Sequence, residues 1–439
     1  MTQNQPRNLL IITYEFPPSA GGGVQRVAKL AHYLPEWGWS PYVVTATPVW
    51  GRPTDESLLE QVDFVPVERI PNRDPSALVA RALAPAKRMH RRRTRPTDSQ
   101  APRTSTNTGR APLSTRVVRA FWLDAAARWA AEVPRAAARL HACVGFDAVL
   151  ASGPPHSALV AGAYVAKVLD LPLVADVRDP WVSNPAYRWP ESPRRDARSL
   201  ALEREVMHRA AAAVCVSEPI SAEALEYGAP RAITVPNGFD RADLPAWAPL
   251  DGPARIAFMG RFYGSTDPTP FFDGVACAVE QHGPASDVII DIVGPESDHV
   301  TQIIRARALD DHVVRHGFLP HRDALGIVSH ADAGLVVLAD RPGAEAIYTG
   351  KLFEYLGIGL PVLLVGPPDG AAAHLVRDAH AGTVVPYGDA TGVAAALNAI
   401  AHEKRSGASR HAPVESVIER FDRRLQVRTV AALLDEVVS

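Results

Sequence analysis

The sequence predicts an α/β protein with two doubly wound domains, in each of which helices cover both faces of a parallel sheet. Short apolar runs alternate with helical patterns along most of the 439 residues, which is typical of parallel α/β layers. The apolar runs lack polar alternation, so their strands should be buried on both faces. A stretch rich in proline and glycine near 243–254 interrupts this rhythm, which indicates a linker.

Apolar runs on each side of the linker predict the strands. Those before it are Leu9–Thr13, Tyr42–Ala46, Ala148–Ser152, Leu173–Val177, Ala213–Val216 and Ala232–Val235. Those after it are Arg255–Met259, Val288–Val293, Val313–His316, Gly334–Leu338, Pro361–Val365 and Gly382–Val385. Helical periodicity covers Val24–Leu34 and, near the end, Val414–Val438.

These elements predict an N-terminal domain over 1–245, a second domain over 254–412 and a closing helix within 413–439. In doubly wound sheets, ligands bind outside the carboxyl ends of the strands. We therefore expect a ligand site in a cleft between the two domains.

The composition is that of a soluble globular protein, with 47% hydrophobic and 21% charged residues. A formal net charge of −2 gives no reason to expect nucleic acid as a partner. The three cysteines lie far apart without a CxxC pair, so neither a disulfide framework nor a zinc site is indicated. We find no secretory signal and no apolar stretch of roughly 20 residues, and expect a cytoplasmic protein.

Residues 84–114 form a biased insert. Ten basic residues and one acidic residue lie between Lys87 and Arg119, with serine, threonine, proline and glycine among them. This composition predicts disorder, and a solvated loop is the simpler interpretation. Attraction of the basic residues to an anionic membrane surface, such as the inner membrane surface, or to an acidic partner is the alternative.

Three glycines, Gly21–Gly23, lie where the first strand leads into the first helix. Without side chains they would let an anion approach the N–H groups of the helix N-terminus. An ordinary turn explains them equally well. The spacing is not GxGxxG, and no ribose-binding acid is evident after the second strand, which disfavours NAD.

Polar residues follow three further strands. His156 lies in Ser-Gly-Pro-Pro-His-Ser, and Arg178 and Asp179 lie in Asp-Val-Arg-Asp-Pro-Trp. His156 should point into the cleft, and Arg178 and Asp179 suit recognition of a polar ligand. A structural histidine and an internal Arg178–Asp179 ion pair are the alternatives. Arg261, directly after Gly260, suits a forked contact to phosphate oxygens, and a surface salt bridge is its alternative.

The strongest signal is the run Tyr-Thr-Gly-Lys-Leu-Phe-Glu, which begins at Tyr348. Thr349 and Gly350 can offer N–H groups to a phosphate at the start of a helix, and Lys351 adds a positive charge. Glu354 lies three residues on, on the same helix face, and its carboxylate can accept hydrogen bonds from two ribose hydroxyls. The alternative is a surface ion pair between Lys351 and Glu354.

These motifs, in this order, resemble the retaining GT-B glycosyltransferases of family four. The likeness is to the bacterial branch with EFPP…GGGVQR, SxPPHS, DxRDPW, VPNGFD and TGKLFEYL, and it spans residues 8–438 apart from the insert. It implies two Rossmann-like domains that face a central cleft. It also implies that the closing helix crosses back to the N-terminal domain.

The resemblance implies roles for residues at the donor diphosphate and sugar. Gly22 and Gly23 would face the diphosphate and the reaction centre. His156 would contact the donor sugar. Arg261 and Lys351 would hold the phosphates.

The resemblance also implies that Glu354 binds ribose and that the nucleobase rests on backbone near Phe318 and Leu319. Two positions depart from the family pattern. Asp267 stands where the family commonly has a lysine, and Ala346 replaces the first glutamate of the usual pair. These departures concern donor affinity and contacts to the sugar hydroxyls, respectively.

The function implied is transfer of a hexose or amino sugar from a nucleoside diphosphate, UDP above all, to an acceptor hydroxyl. Retention is expected, with no metal and no cofactor besides the donor. The acceptor would be a small natural product or a lipid-linked cell-envelope precursor. Two alternatives stay open, namely a nucleotide-sugar epimerase of the same fold and a non-catalytic nucleotide-sugar-binding partner protein. The sequence predicts no oligomeric state.

Overall fold

The computed structural model divides the chain into two compact units. It describes residues 6–48, 54–72, 124, 126–183, 193–262, 267–283, 285–295, 297–339, 345, 348–407 and 411–439. Unit one comprises Met1–Pro236 and Val427–Ser439, and unit two comprises Asn237–Gln426. The first division, after Pro236, lies before the predicted end of the N-terminal domain at 245. The second division, before Val427, lies after the predicted end of the second domain at 412. The predicted insert over 84–114 and Ala346 lie outside the described residues.

Unit one is built on a parallel sheet with helices around it. Its strands are β1 Arg7–Thr13, β2 Trp39–Ala46, β3 Val67–Ile70, β4 Ala148–Gly153, β5 Leu173–Val177, β6 Ala212–Cys215 and β7 Ala232–Thr234. They lie in the order β3-β2-β1-β4-β5-β6-β7. Its helices are α1 Gly22–Tyr33, α2 Glu56–Glu60, α3 Ala127–Ala130, α4 Val133–Val144, α5 His156–Val168, α6 Pro193–Arg209 and α7 Glu218–Glu226.

Unit two repeats the same plan. Its strands are β8 Arg255–Met259, β9 Ile289–Val293, β10 Val313–Gly317, β11 Ala333–Val337, β12 Val362–Gly366 and β13 Gly382–Pro386. They lie in the order β10-β9-β8-β11-β12-β13. Its helices are α8 Thr269–Glu280, α9 Asp298–Ala306, α10 His321–Val328, α11 Gly350–Ile358, α12 Ala371–Asp378, α13 Ala390–Ser406 and α14 Glu415–Ile418.

The central strands, such as β1, β4, β5, β11 and β12, are buried on both faces, as their unbroken apolar runs predict. In β1, Leu10 and Ile12 pack into one core and Leu9 and Ile11 into another, all with no exposed surface. Successive side chains of a strand point to opposite faces, so each face of the sheet has its own apolar layer. The prediction of two doubly wound parallel α/β domains is confirmed.

Two elements differ from the prediction. β3 is absent from the predicted strands because its sequence, Val-Glu-Arg-Ile, is a short, half-buried edge with charges in its middle. The pattern over Val414–Val438 is not one helix, since it divides into α14, a 3₁₀ turn at Glu419–Phe421, and α15 at Arg423–Val438. The break occurs where Phe239 pairs with the chain at Asp422.

Candidate functional site

Each sheet reverses its strand order at one point, and the sequence motifs follow the strands at these points. The reversal lies between β1 and β4 in unit one and between β8 and β11 in unit two. Crevices at such points are the usual ligand sites of doubly wound sheets. Each unit therefore has its own cluster of candidate residues.

In unit one, the glycine-rich loop packs directly against an arginine. Gly21 has φ of 137° and precedes α1, whose first residue is Gly22. A Cβ on Gly23 would lie 1.9 Å from Nη1 of Arg178, so any other residue at Gly23 would displace the guanidinium. The loop thus places backbone at the start of α1 beside a positive charge.

Arg178 is held by backbone carbonyls and not by its neighbour in the sequence. Its Nε donates to the carbonyl oxygen of Gly153 at 3.3 Å, and its Nη2 donates to that of Pro154. The proposed internal partner, Asp179, is half-buried, and burial raises the pKa of its carboxyl group while the charge of Arg178 opposes the rise. No described ion pair within 4 Å joins these two side chains, so that alternative is wrong.

The internal ion pair of this region is formed by Asp176 instead. Its carboxylate is fully buried and accepts from Arg26 of α1 at 2.8 and 3.0 Å, and from Ser152 at 2.6 Å. Asp176 therefore ties β5 to β4 and α1. Its role is structural.

His156 is the first residue of α5, and its side chain is only 7% exposed. Its ring lies parallel to that of Trp181, with centroids 4.6 Å apart and planes 4° apart. Burial, with the nearby charge of Arg178, lowers the pKa of His156 to about 3. The ring is therefore neutral near pH 7 and can act as a hydrogen-bonding group, not as a cation.

The N-terminus of α5 is capped from a distant part of the chain. Asp124 accepts from the backbone N–H groups of Ser157 and Ala126, each at 2.9 Å. This carboxylate holds the first turn of α5, where His156 lies. No local sequence pattern predicts this contact, because 33 residues separate Asp124 from Ser157.

In unit two, a lysine lies beside the glycine that directly follows β8. Gly260 has φ of 116°, and its ideal Cβ position is 3.6 Å from Nζ of Lys351. The same Nζ lies 4.2 Å from the centroid of the Phe258 ring. Burial lowers the pKa of Lys351 to about 8, and the charge of Glu354 opposes the shift. The ammonium group of Lys351 is therefore mostly charged at pH 7, and it lies over the face of the Phe258 ring.

The start of α11 carries polar groups that no other described residue hydrogen-bonds. Thr349 is the residue before the helix, and no side chain caps the N-terminus. The hydroxyl oxygen of Thr349 is buried and makes no hydrogen bond with the described residues. The exposed Gly350 adds a further backbone N–H. A helix N-terminus carries partial positive charge and attracts anions.

Glu354 is paired with a histidine that the sequence analysis missed. One carboxylate oxygen lies 2.7 Å from Nε2 of His321, at the start of α10. The described ion pairs do not include one between Lys351 and Glu354, so the alternative of a surface pair on α11 is wrong. Because α10 and α11 are distant in sequence, local pattern gave no indication of His321.

The residues predicted to contact the nucleobase, Phe318 and Leu319, directly follow β10, and Tyr348 lies two residues before α11. Phe318 directly follows β10 and is 62% exposed, while Leu319 is half-buried. Tyr348 is half-buried, its ring lies 5.6 Å from that of Phe353, and burial raises the pKa of its hydroxyl. An exposed aromatic ring at the end of a strand is a suitable contact for a planar base.

Two further positions that the sequence analysis named, Arg261 and Asp267, differ in their contacts. Arg261 is exposed, and no described residue forms an ion pair with it. Asp267 accepts from the backbone and hydroxyl of Thr269 at 3.0 and 2.6 Å, before α8. It caps the turn where the resembling family has a lysine.

Comparisons with known proteins identify the class. Residues 86–243 match the model of Glycosyltransferase Family 4, and residues 253–403 match the model of Glycosyl transferases group 1. The chain belongs to the GT-B glycosyltransferases. No curated protein sequence matches it.

Solved structures share the GT-B fold over nearly the whole chain. Sucrose-phosphate synthase from Thermosynechococcus elongatus is 15% identical, with 98% of each chain covered and a TM-score of 0.60. A glycosyltransferase from Rickettsia africae is 14% identical, with 99% of this chain and 100% of that chain covered and a TM-score of 0.61. A putative UDP-N-acetylglucosamine 2-epimerase from Listeria monocytogenes is 13% identical, with 98% of this chain and 96% of that chain covered and a TM-score of 0.57.

The part of the chain that the structure describes has neither a metal-binding cluster nor a membrane-spanning helix. There, no three His, Cys, Asp or Glu side chains are grouped to hold a metal ion. No helix among the described residues is long and apolar enough to cross a membrane.

Proposed function

We propose that this glycosyltransferase transfers a hexose or amino sugar from a UDP-sugar to an acceptor hydroxyl with retention of configuration. The observation that carries the proposal is the start of α11. There the charge of Lys351 lies beside Gly260, and the buried hydroxyl of Thr349 precedes the first N–H groups of the helix. Glu354 lies one turn further along the same helix. A diphosphate followed by a ribose matches this sequence of groups.

The chemistry that this arrangement supports is stabilisation of the leaving diphosphate. The bond between the anomeric carbon and the phosphate oxygen breaks, and the acceptor oxygen bonds to the same face of that carbon. The acceptor proton passes to the departing diphosphate, whose charge Lys351 and the N-terminus of α11 stabilise. Arg261, exposed and without a described ion partner, is available for the same phosphates.

We assign the groups of unit one to the sugar and the acceptor. The neutral ring of His156 can hydrogen-bond a sugar hydroxyl, and Arg178 and Asp179 suit a polar acceptor. The acceptor class remains as the sequence predicts, a natural product or a lipid-linked envelope precursor. The basic insert would provide peripheral membrane contact for the second of these.

Donor turnover tests the proposal. Thermal shifts with UDP-, GDP- and dTDP-sugars should select UDP, and UDP release should increase when candidate acceptors are added. Conversion of the donor sugar to its epimer, without any acceptor, would replace the proposal by an epimerase. Binding of donor without any turnover would identify a partner protein that only binds nucleotide sugars.

His156 gives a sharper test within the same assay. His156→Ala should lower kcat by on the order of 10²-fold, because a positioned polar group that tightens in the transition state contributes about that much. The UDP affinity should hardly change, since the phosphate groups are assigned to unit two. A variant with a lower melting temperature and full turnover would show that the histidine is structural.

A further inference from the structure

The segment after β5 carries an indole ring to the face of His156. Trp181 is 4% exposed, and its parallel contact with the imidazole at 4.6 Å covers one side of that ring. A ring covered in this way can rotate only if the indole moves. The orientation of His156 therefore depends on where residues 179–183 lie.

One buried carboxyl group holds this segment from α6. Glu203 is 3% exposed, and its Oε2 accepts the backbone N–H of Val182 at 3.2 Å. Burial raises the pKa of Glu203 to about 7, against the effect of the Val182 hydrogen bond and with a further contribution from Glu223. Burying such a group costs free energy, which an apolar residue facing the same core would avoid. A leucine in place of Glu203 would avoid this cost but could not accept the hydrogen bond from the Val182 N–H group.

A second carboxylate holds the next residue from α7. One oxygen of Glu223 accepts the hydroxyl of Ser183 at 2.9 Å, and the other accepts the hydroxyl of Tyr227 at 3.1 Å. Burial and the charge of Glu223 raise the pKa of Tyr227 to about 12, so the phenol keeps its proton and remains a donor. Arg204 lies 5.4 Å above the Tyr227 ring. Two consecutive residues after Trp181 are thus fixed by two different helices.

We propose that Glu203 and Glu223 are positioning residues, which fix the segment carrying Trp181 and through it the orientation of the His156 ring. Neither carboxyl group is assigned a contact with donor or acceptor. The placement of Trp181 is independent of the reaction. Only the effect on rate rests on the proposed function.

The placement can be measured without any substrate. In protein labelled with 5-fluorotryptophan, Trp181→Phe assigns the ¹⁹F resonance of Trp181. Glu203→Ala and Ser183→Ala should each shift or broaden this resonance, because each removes one of the two attachments. Glu203→Gln keeps an acceptor for Val182 and should leave the resonance near its parental position. Glu205→Ala, on the exposed side of the same helix, is the matched control.

An unchanged Trp181 resonance in Glu203→Ala and Ser183→Ala, both folded by circular dichroism, would overturn the proposal. If Glu203→Ala fails to fold, Ser183→Ala provides the test, because it removes only the hydroxyl that donates to Glu223 and leaves both carboxyl groups in place. A shift that Glu205→Ala produces equally would also overturn it.

Turnover tests the consequence for the reaction. Glu203→Ala should lower kcat at least tenfold while the KM for the UDP-sugar stays within about twofold, and Glu203→Gln should recover most of the loss. A shifted resonance with parental kcat would show that this placement has no part in catalysis. If the parent protein turns over no donor, the proposed function fails, whereas the fluorine result still decides the placement.

Discussion

Lysine is scarce in this chain, since only five of its 46 basic residues are lysine. One of the five lies against Phe258 and Gly260 at the start of α11. Lys351→Ala should weaken UDP binding about tenfold or more, the effect of a lost charged hydrogen bond of about 1.5–3 kcal/mol. Uridine, which lacks the phosphates, should bind as before. Isothermal titration of both ligands measures the difference, with the exposed Lys167→Ala as control.

The lowered pKa of Lys351 gives the same residue a pH signature. In the free protein the ammonium group loses its proton near pH 8, so the UDP affinity should fall as pH rises from 7 to 9. The total decrease should not exceed the factor by which Lys351→Ala weakens UDP binding, because the neutral lysine lacks the same charge. Lys351→Arg stays charged throughout this range and should show a much weaker dependence. If the UDP affinity of the parent protein and that of Lys351→Arg depend equally on pH, Lys351 does not contact the phosphates.

At the scale of elements, a single phenol joins α11 to the end of β8. Tyr355 is fully buried, and its hydroxyl accepts the backbone N–H of Met259 at 3.0 Å. Tyr355→Phe leaves this N–H without its partner, which costs about 1–3 kcal/mol. We expect a lower melting temperature and also weaker UDP binding, because Gly260 follows Met259 directly. Tyr42→Phe, in unit one, should change neither quantity.

The elements were predictable from sequence where one local pattern determined them. Buried parallel strands gave unbroken apolar runs, so β5 and β8 have the predicted bounds. β3 escaped detection because an edge strand keeps polar residues. The sequence could predict that Lys351 and Glu354 share one face of a helix because they lie three residues apart, and their contact with the donor stays a prediction.

What the sequence could not predict are contacts between elements that are far apart in the chain. His321, Asp124 and Glu203 each bond to a candidate segment from another helix or loop. No periodicity or spacing links such partners, since their proximity is a result of the sheet order. The mistaken pair between Arg178 and Asp179 arose in the same way, because adjacency in sequence was taken for contact.

At the scale of the whole molecule, each unit has cores of its own. The side chains proposed to hold the ribose and the phosphates of UDP all belong to unit two, so UDP should stabilise that unit more than unit one. Calorimetry should show two transitions, of which one rises with UDP by an amount equivalent to about 2.7 kcal/mol at 100 times the Kd. In Lys351→Ala, a Kd about tenfold higher should reduce this rise, at the same UDP concentration, to about 1.4 kcal/mol. A single transition with equal calorimetric and van't Hoff enthalpies would contradict independent unfolding.

The path of the chain also bears on its synthesis. Val427–Ser439 belong to unit one, where Val430 and Leu434 of α15 pack in the same core as Leu9 and Ile11 of β1. A ribosome adding about 5–20 residues per second completes all of unit two before these residues emerge. The domain that is begun first is therefore finished last. A premature stop near residue 426 would leave unit two whole and expose the core of unit one to chaperones and proteases.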